Sequence, residues 1–261
     1  MKKGICIGTS PGANNEERFA NAARYGFAGI EVNTLRDDAE RAEARRLAEQ
    51  YGIPVISVMN SDHWQYPLSD PDPAVVERSL VGVTQSIDTA VALGADTVLV
   101  VPGVVKPEVT YEEAWARSTA ALAKVLPIAE RNGVYLAVEN VWSKFLVSPL
   151  EFAAYIDGFH SAHLVAYFDV GNILLYGYPQ HWIRTLGSRI KKVHIKGFDA
   201  QTFTWTYLMD GSADWASVMQ ALRAVGYDGY LTAELPVDKG NPLGRLREIS
   251  MDMDKILALA P

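Results

Sequence analysis

LAVENVW, residues 136–142, begins like the inside of a protein and ends on polar residues. With Tyr135 before it, the run Leu136, Ala137 and Val138 has the short apolar pattern of a buried strand. Glu139, Asn140 and Trp142 then close the stretch with a carboxylate, an amide and an indole. A carboxylate buried without a partner is costly or loses its charge. A core strand that ends on one therefore needs compensating groups, and these must come from neighbouring segments.

Outward from this stretch, the same unit repeats. Strand candidates at 4–10, 29–34, 54–60, 97–103, 134–140, 164–172, 190–199 and 230–236 alternate with helical segments at 14–27, 37–52, 73–94, 110–133, 148–159, 181–189, 214–226 and 246–259. The helices carry their own punctuation. Thr110 with Glu113 three residues on has the form of a capping box, Ser148 and Pro149 read as a cap and a first helical position, and glycines follow several of the helices. Short strands rich in Val and Ile between amphipathic helices imply a parallel sheet covered by helices. Eight such units in 261 residues have the size of a closed barrel. The rival, an open doubly wound sheet, usually carries GxGxxG after its first strand; here residues 8–15 read GTSPGANN. The expectation is an α/β fold, a single (β/α)8 TIM barrel, with one domain over residues 1–261.

Composition bounds the function. Hydrophobic residues are 49% of the chain and charged residues 21%, enough for a large core, and the net charge of −7 disfavours a broad nucleic-acid footprint. The lone cysteine, Cys6, reads as a small buried hydrophobe. No run reaches the ~18–20 apolar residues of a membrane span, and MKKGICIGTS at the start is too short for a signal-peptide core. The chain reads as cytoplasmic, without membrane or nucleic-acid partners. Trp182, Trp205 and Trp215 read as exposed candidates for a subunit interface.

In a barrel of this kind the C-terminal strand ends share one face, and chemistry sits there. The second strand ends near Glu31, and the third at Asn60, with His63 and Trp64 beyond. The fifth ends at Glu139 and the sixth at Asp169, with Asn172 three residues on. The seventh carries His194, Lys196 and Asp199, and the eighth ends at Glu234. Any one of these alone reads more simply as a cap, a surface ion pair or a core histidine. Glu, Asp, His and Glu on four successive strands would repel one another at a common mouth unless a cation joined them. Three oxygen donors and one nitrogen, with no sulfur, suit Mn²⁺, Mg²⁺ or Co²⁺ better than a structural zinc.

AVEN (137–140), FDVGN (168–172), VHIKGFD (193–199) and AELP (233–236), with the approach DWASVMQALRAVGYDGYLTAELP (214–236), resemble the xylose isomerase-like TIM-barrel superfamily of sugar and sugar-phosphate isomerases and epimerases. The resemblance implies one divalent metal ion, Mn²⁺ first and Mg²⁺, Co²⁺ or Zn²⁺ as alternatives, held by Glu139, Asp169, His194 and Glu234. It also makes Glu139 and Glu234 the catalytic acid/base pair of a ketose 3-epimerase, which would deprotonate and reprotonate a sugar or sugar phosphate through a metal-stabilised enediolate. Glu31, Asn60, His63, Trp64, Trp142, Asn172, Lys196 and Asp199 are the expected substrate contacts. The chain departs from some 3-epimerases in carrying Asn172 where they have a histidine, and Lys196 where they use a more distant arginine. These departures look closer to the sugar-phosphate branches. An aldose–ketose isomerase, or an inosose dehydratase- or keto-glycoside lyase-like enzyme, would use the same parts. Endonuclease IV-type DNA repair and a non-catalytic sugar-binding barrel are weaker rivals, the former because the chain has only five histidines and an acidic charge. Relatives of this kind imply a homodimer or homotetramer.

Overall fold

The computed structural model describes residues 1–259. The expected domain therefore includes two residues, 260 and 261, that lie outside the described part. Eight parallel strands close into a barrel: β1 (Lys2–Cys6), β2 (Gly29–Asn33), β3 (Val55–Met59), β4 (Thr97–Val100), β5 (Tyr135–Glu139), β6 (Leu164–Asp169), β7 (Ile190–Ile195) and β10 (Tyr230–Ala233). β1 closes the ring by pairing with β2 on one side and β10 on the other. The helices are α1 (Asn15–Arg24), α2 (Asp38–Tyr51), α3 (Pro73–Leu93), α4 (Tyr111–Arg131), α5 (Pro149–Asp157), α6 (Val170–Ile173), α7 (Pro179–Leu186), α8 (Trp215–Ala224) and α9 (Pro242–Ala258). No described helix is long and apolar enough to cross a membrane.

The strands are buried because both faces are covered. Outward residues such as Ile5, Ile30, Val58, Val98, Val138 and Phe168 join one large core under the helices, while Leu99, Ala137 and Tyr167 form a separate small cluster. The helix ends follow local chemistry. Asn14, Asp37 and Asp72 cap α1, α2 and α3, and Thr110 with Glu113 completes the capping box of α4. α2 and α3 end on Gly52 and Gly94 at φ of 63° and 71°, a left-handed conformation that other residues resist. Ser148 departs from expectation: its side chain makes no capping hydrogen bond, and Pro149 alone marks the start of α5.

Three departures bear on the mouth. The segment 190–199, which reads as one strand, is two. β7 stays in the barrel as far as Ile195, and Gly197–Asp199 (β8) leaves it to pair antiparallel with Thr204–Thr206 (β9). The segment 164–172 stops being a strand at Asp169. Its Oδ1 accepts from the Asn172 N–H and starts the single turn of α6. Of the three tryptophans expected at the surface, Trp182 and Trp215 are buried against the core and only Trp205 is exposed. The Trp215 indole donates to the Leu208 carbonyl at 2.7 Å, so it closes the α8 entry rather than offering an interface.

Candidate active site

The four expected ligands meet. Glu139 and Asp169 end β5 and β6, His194 lies opposite Asp169 on β7, and Glu234 directly follows β10. One ligand-type atom from each lies within 4.8 Å of the others. His194 Nδ1 is 3.1 Å from Glu139 Oε1 and 3.6 Å from Glu234 Oε2. Lys196 Nζ lies 2.9 Å from Asp169 Oδ2 and also pairs with Glu234 Oε2, yet neither oxygen accepts an aligned hydrogen bond. The two carboxylates share one ammonium and neither has an aligned hydrogen bond at that oxygen, which leaves acceptor capacity for a further cation. Three carboxylates and one imidazole nitrogen converging in this way fit a divalent cation.

The two glutamates are held in opposite states. Burial pushes the Glu139 carboxyl up to about 7, and the charges of Glu234 and Asp169 add to the effect while His194 opposes it. Burial would also raise Glu234, but His194 and Lys196 beside it outweigh this and hold it below the usual carboxylate range. Burial and the nearby Glu234 raise Asp169 against the pull of Lys196. His194 keeps its proton in spite of burial. We attribute this to the carboxylates around it, because Cys6 and Tyr167 are themselves pushed up by burial and stay neutral.

A lattice of amides aligns the strand ends and explains why two of the motifs carry asparagine. The Asn140 side chain donates to the Asp169 carbonyl and accepts from the Asp169 N–H, both at 2.8 Å. The Asn172 side chain donates to the Asn140 carbonyl at 2.9 Å, and the Trp142 indole donates to the Asn172 carbonyl at 2.8 Å. Asn172, expected at the substrate, is thus spent on joining β5 to β6, and Asn140 sets the position of the metal-ligand candidate Asp169.

A cavity of about 490 Å³ adjoins the cluster, lined by Glu31, Asn33, Lys196 and Glu234 and by Trp205 and Thr206 of β9. Trp205 stacks on Trp142 with ring centroids 4.7 Å apart, and Lys196 Nζ sits 5.4 Å from the Trp205 ring. Of the expected substrate contacts, Lys196 and Glu31 reach this cavity and Trp142 braces its wall. Asp199 does not: it is on the hairpin, and its carboxylate accepts from the N–H groups of Gln201 and Thr202. Asn60 is buried in the turn after β3, where its side-chain Oδ1 accepts from the Asp62 N–H. His63 is buried edge-on to the exposed Trp64, and neither lines the cavity. Burial also pushes His63 down to about 4, so it stays neutral. The sequence reading missed Cys6, Ser57 and Tyr167, all close to Glu31.

The hairpin depends on Gly197, where an added Cβ would fall 2.1 Å from the Tyr207 carbonyl oxygen. Gly197→Ala is expected to unpair β8 from β9 and to speed proteolysis within residues 198–209 at least tenfold, with the barrel's melting temperature little changed. A proteolysis rate equal to that of the parent would show that the hairpin tolerates the methyl group.

The sequence matches the family described as xylose isomerase-like TIM barrel over residues 19–254. Among curated proteins it is 29% identical to an L-ribulose 3-epimerase of Mesorhizobium japonicum, over 84% of this chain and 74% of that one. It is 25% identical to a putative L-ribulose-5-phosphate 3-epimerase, SgbU, of Escherichia coli, over 85% of this chain and 84% of that one. An uncharacterised protein of Methanocaldococcus jannaschii is 24% identical over 64% of this chain, a match that spans 62% of the relative's own length. Among solved structures, a D-psicose 3-epimerase of Clostridium cellulolyticum with D-tagatose shares the fold at a TM-score of 0.82 and 18% identity, over 99% of each chain. A 3-keto-D-glucoside 4-epimerase of Escherichia coli shares it at 0.82 and 17% identity, over 98% of this chain and 99% of that one.

Proposed function

The chain belongs to the xylose isomerase-like TIM-barrel family, and from that premise we propose that it is a metal-dependent carbohydrate epimerase that inverts carbon 3 of a small ketose or ketose phosphate. The observation that carries the reading is the placement of Glu139 and Glu234. They come from strands separated in the barrel by β6 and β7, yet both flank His194. Inverting a carbon through a planar intermediate needs a base on one face and an acid on the other. In the metal-free site burial pushes Glu139 up to about 7, while His194 and Lys196 hold Glu234 below the usual carboxylate range, so the two environments differ in the sense an acid/base pair needs. In one direction Glu234 takes the carbon-bound proton and Glu139 returns one to the opposite face; the reverse reaction exchanges the roles.

Glu139, Asp169, His194 and Glu234 would hold the cation, Mn²⁺ in our reading. When bound, it supplies the positive charge that makes hydrogen beside a ketone acidic. Lys196 presents a cationic donor to the cavity, and Trp205, stacked on Trp142, forms part of its wall. The L-ribulose and putative L-ribulose-5-phosphate 3-epimerases to which the chain is similar support a ketose as substrate.

With Mn²⁺ and a panel of ketoses and ketose phosphates in D₂O, the protein is expected to exchange the hydrogen on one carbon beside the carbonyl, as followed by NMR. Chelation should lower this rate by at least ~10³-fold and added Mn²⁺ should restore it. Exchange that survives chelation would overturn the metal-dependent reading. Loss of a group from the next carbon would make the enzyme a lyase.

A further inference from the structure

We infer that Glu31 is the positioning residue of the metal site: it accepts the Nε2 proton of His194 and so commits Nδ1 to the cation. The inference rests on the metal-dependent reading above. His194 stands between two carboxylates. Its Nε2 is 2.9 Å from Glu31 Oε1, and its Nδ1 faces Glu139 and Glu234. A neutral imidazole can give one nitrogen to a metal only if the other carries the proton, and the partner of that proton fixes both ring orientation and tautomer.

Glu31 is built for this task and for little else. Besides His194, it accepts from the Ser57 and Tyr167 hydroxyls, each at 2.7 Å to Oε2, and from the Cys6 thiol at 3.3 Å to Oε1. Four donors fill the roughly four acceptor positions of a carboxylate. The side chain is 1% exposed. Although Glu31 borders the cavity, it has no lone pair left for a sugar hydroxyl, so the substrate contact expected from its strand-end position does not hold.

The barrel is locally adjusted around it. The β2–β3 register slips between Ile30 and Glu31, which sets Glu31 opposite Ser57. The β6–β7 register slips between Ala166 and Tyr167. The Tyr167 ring then packs 4.3 Å from the His194 ring, centroid to centroid, while its hydroxyl reaches Glu31. Cys6, Ser57, Tyr167 and Glu31 thus come from four different strands, and together they brace one imidazole.

The test compares Mn²⁺ binding by calorimetry in the parent and in Glu31→Gln. The glutamine oxygen can still accept from Nε2, and the Ser57 and Tyr167 hydroxyls can rotate to accept from its amide, so the fold should persist. What is lost is the negative charge that makes Nδ1 a strong donor. The expected result is a 10- to 100-fold weaker Mn²⁺ affinity, with a melting temperature of the metal-free protein within a few degrees of the parent. A second measurement needs no variant: ¹⁵N NMR of the Zn²⁺-loaded parent should find the His194 proton on Nε2. Equal Mn²⁺ affinity in Glu31→Gln, or a proton found on Nδ1, would overturn the role of Glu31 while leaving the metal reading intact. A parent that binds no Mn²⁺ at all would overturn both.

Discussion

Glu139→Gln is expected to lower turnover by at least ~10³-fold and, at the same time, to make the metal-free protein harder to unfold at pH 8. Both effects have one origin. Glu139 is buried at the end of a core strand, and its carboxyl is pushed up to about 7. The unfolded chain loses that proton near 4.5. Between pH 4.5 and 7 the native state holds a proton that the unfolded state has released, so stability falls as pH rises through this window and then levels off. The gap corresponds to about 3 kcal/mol. Glutamine never ionises and escapes this loss. Urea unfolding in the presence of chelator should show parent and variant nearly alike below pH 4.5, with the variant ahead by up to about 3 kcal/mol at pH 8. A stability difference that does not change with pH would refute the argument. So would a variant less stable than the parent at pH 8.

Much of this site was legible in the sequence, for a geometric reason. In a barrel of parallel strands the C-terminal ends point to one face, so Glu139, Asp169, His194 and Glu234 could be brought together from strand order alone. What lay between them was harder to read. Residues 190–199 are extended throughout, and periodicity does not say that Ile195 bonds to β10 while Gly197 bonds to Thr206. Asp199 was therefore expected at the mouth when it belongs to the hairpin. Asn172 and Asn60 read as substrate contacts because they are polar near strand ends. The Asn172 amide instead donates to the Asn140 carbonyl, and the Asn60 side-chain oxygen accepts from the Asp62 N–H, contacts that only the packed structure reveals. Ser57 and Tyr167 lie inside apolar strands, where each alone reads as ordinary core. Their meeting at Glu31 goes with two register slips that no single strand encodes. One signal was available: Asp169 and Asn172 stand three apart, the spacing of a helix cap, and they do start α6.

Lys196→Met is expected to shift stability in the direction opposite to Glu139→Gln. In the metal-free protein Lys196 is the cation that holds Asp169 and Glu234 together. Burial disfavours its charge, but those two carboxylates hold its pKa above the ordinary lysine value. The path of its stem is prepared by another motif. At Gly171 an added Cβ would fall 2.2 Å from Lys196 Cγ, so the glycine of FDVGN makes room for the lysine of HIK. Methionine keeps a stem of similar length across that gap and against Trp205, and it removes only the charge. Three carboxylates then face one another with His194 alone to offset them. Breaking a buried pair in this way costs about 3–5 kcal/mol, which should appear as a lower melting temperature in chelator. Mn²⁺ should reverse the sign of the comparison. A divalent cation no longer repelled by the ammonium binds the variant more tightly than the parent, and the rise in melting temperature on adding Mn²⁺ should be the larger of the two. If Lys196→Met melts like the parent in chelator, or gains no more from Mn²⁺, then Lys196 is not the cation that balances the metal-free site. If both shifts are seen, the lysine occupies electrostatically the position that the metal takes over, and the site can fold before it is loaded because one of its own residues stands in for the ion.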